Sequence, residues 1–121
     1  MKMISILYIL NATLLLLHEI ESAYEKEWEI LKLPGRITGF LLLHIPIIIV
    51  IFYGLIEIEK NSKIGFILGI VMGIAGVIPF IVHKIIVRKT EHFNLIISNI
   101  IIYSNILSGV SLLFLTLRLT T

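Results

Sequence analysis

Four long apolar stretches, residues 3–17, 37–56, 64–82 and 93–117, decide most of what this chain can become. A helix needs roughly 20 residues to cross the ~30 Å hydrocarbon layer of a bilayer, and the last three stretches reach that length directly. The first covers about 22 Å at 1.5 Å per residue. Its helix is expected to continue through "HEIESAYEKEWEILKL" until Pro34-Gly35 stops it. None of the stretches alternates apolar with polar residues, which excludes membrane β-strands. The expectation is an all-α integral membrane protein. It forms a single domain over residues 1–121, a four-helix antiparallel transmembrane bundle with helices near 3–32, 37–57, 64–84 and 92–117.

Composition agrees. The chain is 58% hydrophobic and only 15% charged, with a mean hydropathy of +1.05, which places it in the membrane class. Membrane lipid is the expected surrounding, and the expected location is the cell membrane, crossed several times. The net charge of +2 is scattered. It shows no basic patch interleaved with aromatics, so no nucleic-acid partner is expected. The absence of cysteine excludes disulfides, thiolate metal sites and thiol catalysis. The opening "MKMISILYILNATLLLL" has the outline of a signal peptide, but no small-x-small cleavage site follows it, and it is read as a retained first span.

The connections at 33–36, 57–63 and 84–91 are short enough to force neighbouring helices antiparallel. Lys26, Lys32, Arg36, Lys84, Arg88 and Lys89 then fall on one side, against Lys2, Lys60, Lys63 and Arg118 on the other. That excess points both termini outward. In the third stretch Gly65, Gly69, Gly73 and Gly76, with Ala75 beside them, form a small-residue face that lets helix backbones approach closely in lipid. Packing inside the bundle and a homodimer through Gly65, Gly69 and Gly73 are the two uses of such a face. Pro79 removes a backbone donor and frees the Ala75 carbonyl, so a kink is expected just below His83.

Topology gathers the polar residues. In an up-down bundle the end of helix one, the start of helix two, the end of helix three and the start of helix four share one membrane face. His18, His44, His83 and His92 occupy those four places. At 100° per residue, Asn11, His18, Ser22 and Glu25 share a face of the first helix, with Glu21 one step round. A continuous first helix sets Glu25 level with His44, Glu21 about 6 Å deeper and His18 about 10 Å deeper. Polar side chains at membrane depth are costly and usually face a bundle interior or an aqueous cavity. Imidazoles with carboxylates are a ligand set for a divalent metal, zinc among them. A zinc with three protein ligands keeps a position for water and lowers its pKa to about 7. His18, Glu21, His44 and His83 are the expected metal ligands. Glu19 and Glu25 are the expected acid–base groups, with Glu19 or Glu21 as fourth ligand or base.

A blander reading stands beside this one. Histidines near an interface often cap helix ends or bond to headgroups. Glu19, Glu21, Glu25, Glu27 and Glu29 with Lys26 and Lys32 have the look of a solvated amphipathic surface, on which Tyr24 and Trp28 serve as interface anchors. His92, beside Glu91, reads as a surface residue.

The pattern His18-Glu19, Glu21, Tyr24, Glu27-Trp28, then His44-Ile45-Pro46, then His83 resembles a family of small bacterial and archaeal four-helix membrane proteins of unknown function. The resemblance spans nearly the whole chain. More loosely the chain is similar to the HXXEE membrane proteins, although "HEIES" lacks the doubled acid. The resemblance implies a four-helix membrane fold and a shared polar site at His18, Glu19, His44 and His83, without an activity. It favours Glu19 as the functional acid, whereas regular helix geometry favours Glu21, about 60° from His18 against 100° for Glu19. The expected function is a metal-dependent intramembrane enzyme that hydrolyses, hydrates or isomerises a lipid-like substrate. The alternative is a non-enzymatic proton- or metal-coupled carrier or an accessory subunit, and a third, plainer reading is a lipid- or partner-binding protein.

Overall fold

A computed structural model describes residues 1–86 and 95–121. Helix α1 spans Met3–Tyr24, the short α2 spans Glu27–Ile30, α3 spans Arg36–Glu59, α4 spans Lys63–Phe80 and α5 spans Ile96–Thr120. Four of these helices are long and apolar enough to cross a membrane, so the expected four-helix bundle is what forms. His92, Glu91, Arg88 and Lys89, and with them the expected start of the fourth long helix, lie outside the described residues.

The bundle is held by faces that repeat every three or four residues. On α4 the buried positions are Gly65, Gly69, Met72, Gly73, Gly76 and Pro79. On α5 they are Ser98, Ile102, Asn105, Ser108, Gly109, Leu112 and Thr116, and on α1 they run from Ile4 and Ser5 through Tyr8, Asn11 and Ala12 to His18 and Ser22. That alternating spacing averages 3.5 residues, the period at which helices keep one seam against a partner. Lipid tails are as apolar as leucine, so close packing and hydrogen bonds take over the role that water exclusion plays in soluble proteins. Accordingly glycines and small polar residues share the inside with a few large side chains such as Ile58, Met72, Ile102 and Leu112, while most of the large aliphatics face out. A Cβ on Gly73 would stand 2.9 Å from the Gly109 carbonyl oxygen, and one on Gly69 2.9 Å from Thr116 Oγ1. The small-residue face of α4 is therefore covered within the chain by α5, the internal-packing use of that face.

Asn11 ties three helices together. Its Nδ2 donates to the Met72 carbonyl at 2.7 Å on α4, and its Oδ1 accepts from Ser108 Oγ at 2.9 Å on α5. Tyr8 donates to the Ile51 carbonyl on α3 at 2.7 Å, and Gly54 has no side chain where the Tyr8 hydroxyl sits. Helix α3 itself is peripheral. Among the described residues it packs on α1, α2 and α4 and makes no contact with α5. Its buried residues, Ile51, Gly54, Glu57 and Ile58, all lie in its second half, so its first half is the more loosely packed and is held through Phe40 and His44.

Two local features depart from a plain hairpin. The first helix does not run to Pro34: it ends at Tyr24, and Lys26 takes a left-handed conformation (φ 52, ψ 50) before α2 begins. Glutamate-rich sequence favours helix, but folding back buries Trp28 and Glu27, and tertiary packing outweighs the propensity. Beyond Pro79, where a kink is expected, α4 passes directly into a π-helical turn over Ile81–Ile86 that carries His83.

Candidate metal centre

The inner face of α1 delivers His18, whose side chain is buried at the end of a seam begun by Ile4 and Tyr8. The π turn rotates His83 inward from α4, where such turns recur at functional sites. The two imidazoles meet edge to face, with ring centroids 4.9 Å apart and Nε2 atoms 3.3 Å apart. Glu27 Oε1 lies 3.1 Å from His83 Nε2, and Ser22 Oγ lies 3.3 Å from His18 Nε2. His18, Glu27 and His83 each offer a ligand atom, all within 4.8 Å of one another, so this cluster could hold a metal ion. Burial pushes the Glu27 carboxyl up, but the hydrogen bonds from His83 and Ser22 and the charges of His83 and His18 outweigh it, leaving the group below the usual carboxylate range.

Of the expected ligands, the structure brings His18 and His83 together and leaves Glu21 and His44 outside this cluster. Glu21 accepts from Ser98 Oγ on α5 at 2.5 Å. His44 pairs with Glu19, Nε2 to Oε2, at 2.6 Å. The other ring nitrogen of His44 donates to the Phe40 carbonyl at 2.7 Å, since a carbonyl can only accept. One proton is then shared between His44 Nε2 and Glu19. Glu25 sits partly exposed at the end of α1, not level with His44 as a continuous helix requires. The left-handed turn shortens the hairpin: His44 faces residue 19 rather than residue 25, a shift of about 9 Å along the helix.

Glu27 is the candidate ligand that sequence reasoning missed. Nine residues at 100° put it on the opposite side of a straight helix from His18, about 13.5 Å further on. Only the left-handed Lys26 folds it back. The Glu27-Trp28 pair in the family-like pattern was the single signal pointing to it.

Beside the cluster lies a cavity of about 580 Å³ between α1, α3 and α4, formed where the first half of α3 stands off. His18, Glu19, Glu27 and His44 line it near the interface, together with Trp28 and Phe40. Phe40 stacks on His44 with ring centroids 4.0 Å apart, and Trp28 leans on Phe40 at 5.6 Å. The rest of the wall is aliphatic and reaches Ile51 and Met72.

No curated protein and no solved structure matches the chain. The family model described as Family of unknown function (DUF6713) matches residues 4–119, and the chain is a member of that family.

Proposed function

We propose that this chain is a multi-pass protein of the cell membrane in which His18, Glu27 and His83 bind one divalent metal ion, zinc by the chemistry of the donor set. The metal centre acts on a lipid-like substrate by hydrolysis, hydration or isomerisation. One observation carries the reading. Two nitrogens bound tetrahedrally at ~2.0–2.1 Å stand about 3.3–3.4 Å apart, and the Nε2 atoms of His18 and His83 are 3.3 Å apart with the Glu27 carboxylate oxygen at 3.1 Å. Two histidines and a glutamate leave a fourth position for water, whose pKa such a metal lowers to about 7. Glu19 lines the same cavity as His18 and Glu27, and with His44 it supplies a proton-exchanging pair there.

Elemental analysis of the protein purified in detergent tests the centre. About one divalent ion per chain is expected, lost in His18→Ala and Glu27→Gln and retained in His44→Ala and Glu21→Gln. Metal-free wild type, or unchanged content in Glu27→Gln, overturns it. A second reading, a proton- or metal-coupled carrier, is favoured by the buried Asn11, Asn105, Ser108 and Thr116, which continue polar groups into the far half of the bundle. Metal-dependent proton flux in proteoliposomes separates the two.

A further inference from the structure

The cavity is polar at one end only. Its charged and aromatic lining sits near the interface, and from Phe40 to Ile51 along α3 it descends 11 residues, about 16 Å. One leaflet of a bilayer with a ~30 Å hydrocarbon core is about 15 Å deep. Leu43, Val50 and Val71 line it and are each about half exposed, so it opens sideways between α3 and α4, toward lipid. At its deep end the buried Ile51 and Met72 close it. It is one trough, with a volume inside the range of roughly 300–1,000 Å³ typical of small-molecule sites.

A donor in this trough has no acceptor among the described residues. Trp28 is 7% exposed, lines the cavity, and its Nε1 has no hydrogen-bond partner among the described residues. An indole N–H can only donate, and buried donors are nearly always paired, so an unpaired one calls for a partner. The partner must accept, lie near the interface and leave the wall below it dry.

We propose that the trough binds a single-chain acyl amphiphile drawn from one leaflet, a fatty acid or a monoacyl ester, with its chain along α3 and its carbonyl oxygen accepting the Trp28 N–H. The proposal rests on the lipid-like substrate argued above and names its class. The acyl carbonyl then lies beside His18 and Glu27, which share the same end of the wall. One trough takes one chain, which separates this ligand from a two-chain phospholipid.

Trp28 is the only tryptophan, so its fluorescence reports on this site alone. The probes are a long-chain fatty acid with a nitroxide near its carboxyl, its isomer with the nitroxide near the methyl end, and a phosphatidylcholine with the nitroxide near one carbonyl. Each is titrated into chelator-treated wild type and into His18→Ala, so that binding is read without metal. Saturable quenching near one-to-one by the first probe, weaker by the second and unsaturable by the third, is expected. Spin-label immobilisation gives the affinity where the tryptophan is gone. Trp28→Phe is expected to raise Kd about fivefold, the size of one net hydrogen bond, and Ala75→Leu, which fills the trough, to abolish binding. Quenching that merely follows bulk probe concentration, equal saturable quenching by phosphatidylcholine, or an unchanged Kd in Trp28→Phe overturns the proposal. A metal-free wild type that still binds the fatty acid removes the metal centre and leaves this site; a metal-loaded protein with no saturable binding does the reverse.

Discussion

Asn11 and Gly76 compete for the same space, and a pair of alanine substitutions can read the strength of the three-helix seam. Asn11→Ala removes two hydrogen bonds, to the Met72 carbonyl and from Ser108. Side-chain bonds between membrane helices average ~0.6 kcal/mol and reach ~1.7, so the pair contributes about 1–3 kcal/mol. No orphan adds to that cost: Ser108 Oγ keeps its bond to the Asn105 carbonyl at 3.1 Å, and the Met72 carbonyl belongs to the interior of α4. Gly76→Ala alone drives a Cβ into Asn11 Oδ1 and to within 3.0 Å of the Asn105 carbonyl, an overpacking of about 1–3 kcal/mol. In the double variant the Cβ enters the space Asn11 vacates, while the Asn105 contact persists. The two losses should therefore fall short of their sum by about 1 kcal/mol. Titration with SDS in mixed micelles, followed by helicity, measures all four proteins. Additivity within about 0.5 kcal/mol, or a loss under about 0.5 kcal/mol for Asn11→Ala alone, would refute the packing argument.

Three further outcomes are expected. Lys26→Val places a β-branched residue at φ 52, costing more than about 1–2 kcal/mol, and should weaken metal retention roughly tenfold in chelator competition, whereas Lys26→Gly should not weaken it. Because the Glu27 carboxyl is held below its ordinary value of 4.5, its contribution to stability is fully present above that value and is lost as the pH falls through the lower, folded one. Glu27→Gln should accordingly flatten the acid limb of a stability–pH profile, and an unchanged limb would contradict the assignment. Glu19→Gln removes the shared proton between α1 and α3. The carboxyl signal assigned to Glu19 by infrared difference spectroscopy should disappear while metal content stays the same.

The fold was legible because four apolar lengths and short connections leave few topologies. The inner faces were not, since hydropathy cannot separate a lipid-facing isoleucine from a core one. In this bundle the interior is the more polar side: Asn105 and Thr116 are fully buried while Phe114 and Leu107 face outward. Two of the histidines that topology gathered, His18 and His83, do meet. A helix continued through Lys26, a residue with no local sign of a left-handed turn, sets the register between α1 and α3 six residues off. The left-handed Lys26 brings Glu27 to the histidines, and with the left-handed Lys32, Gly35 and Arg36 that follow it places Glu19 rather than Glu25 opposite His44. The tension between Glu19 and Glu21 dissolves for the same geometric reason. Two residues apart on a helix, they point some 200° from each other, one toward α3 and the other toward α5.

The peripheral seat of α3 has a kinetic consequence. Three helices, α1, α4 and α5, enclose one another, while α3 leans on that trio through its second half, the Tyr8 bond and, from its first half, the single His44–Glu19 bond. Lipid can replace apolar contacts at little loss, so separating this seam costs mainly packing and one or two polar links. Exchange between the trough and the bilayer is then paced by the swing of one helix about its Glu59 end, and not by any loop at the surface. Amide exchange along α3 should record it: fastest between residues 36 and 50, slow beyond Ile51, with the trio unaffected.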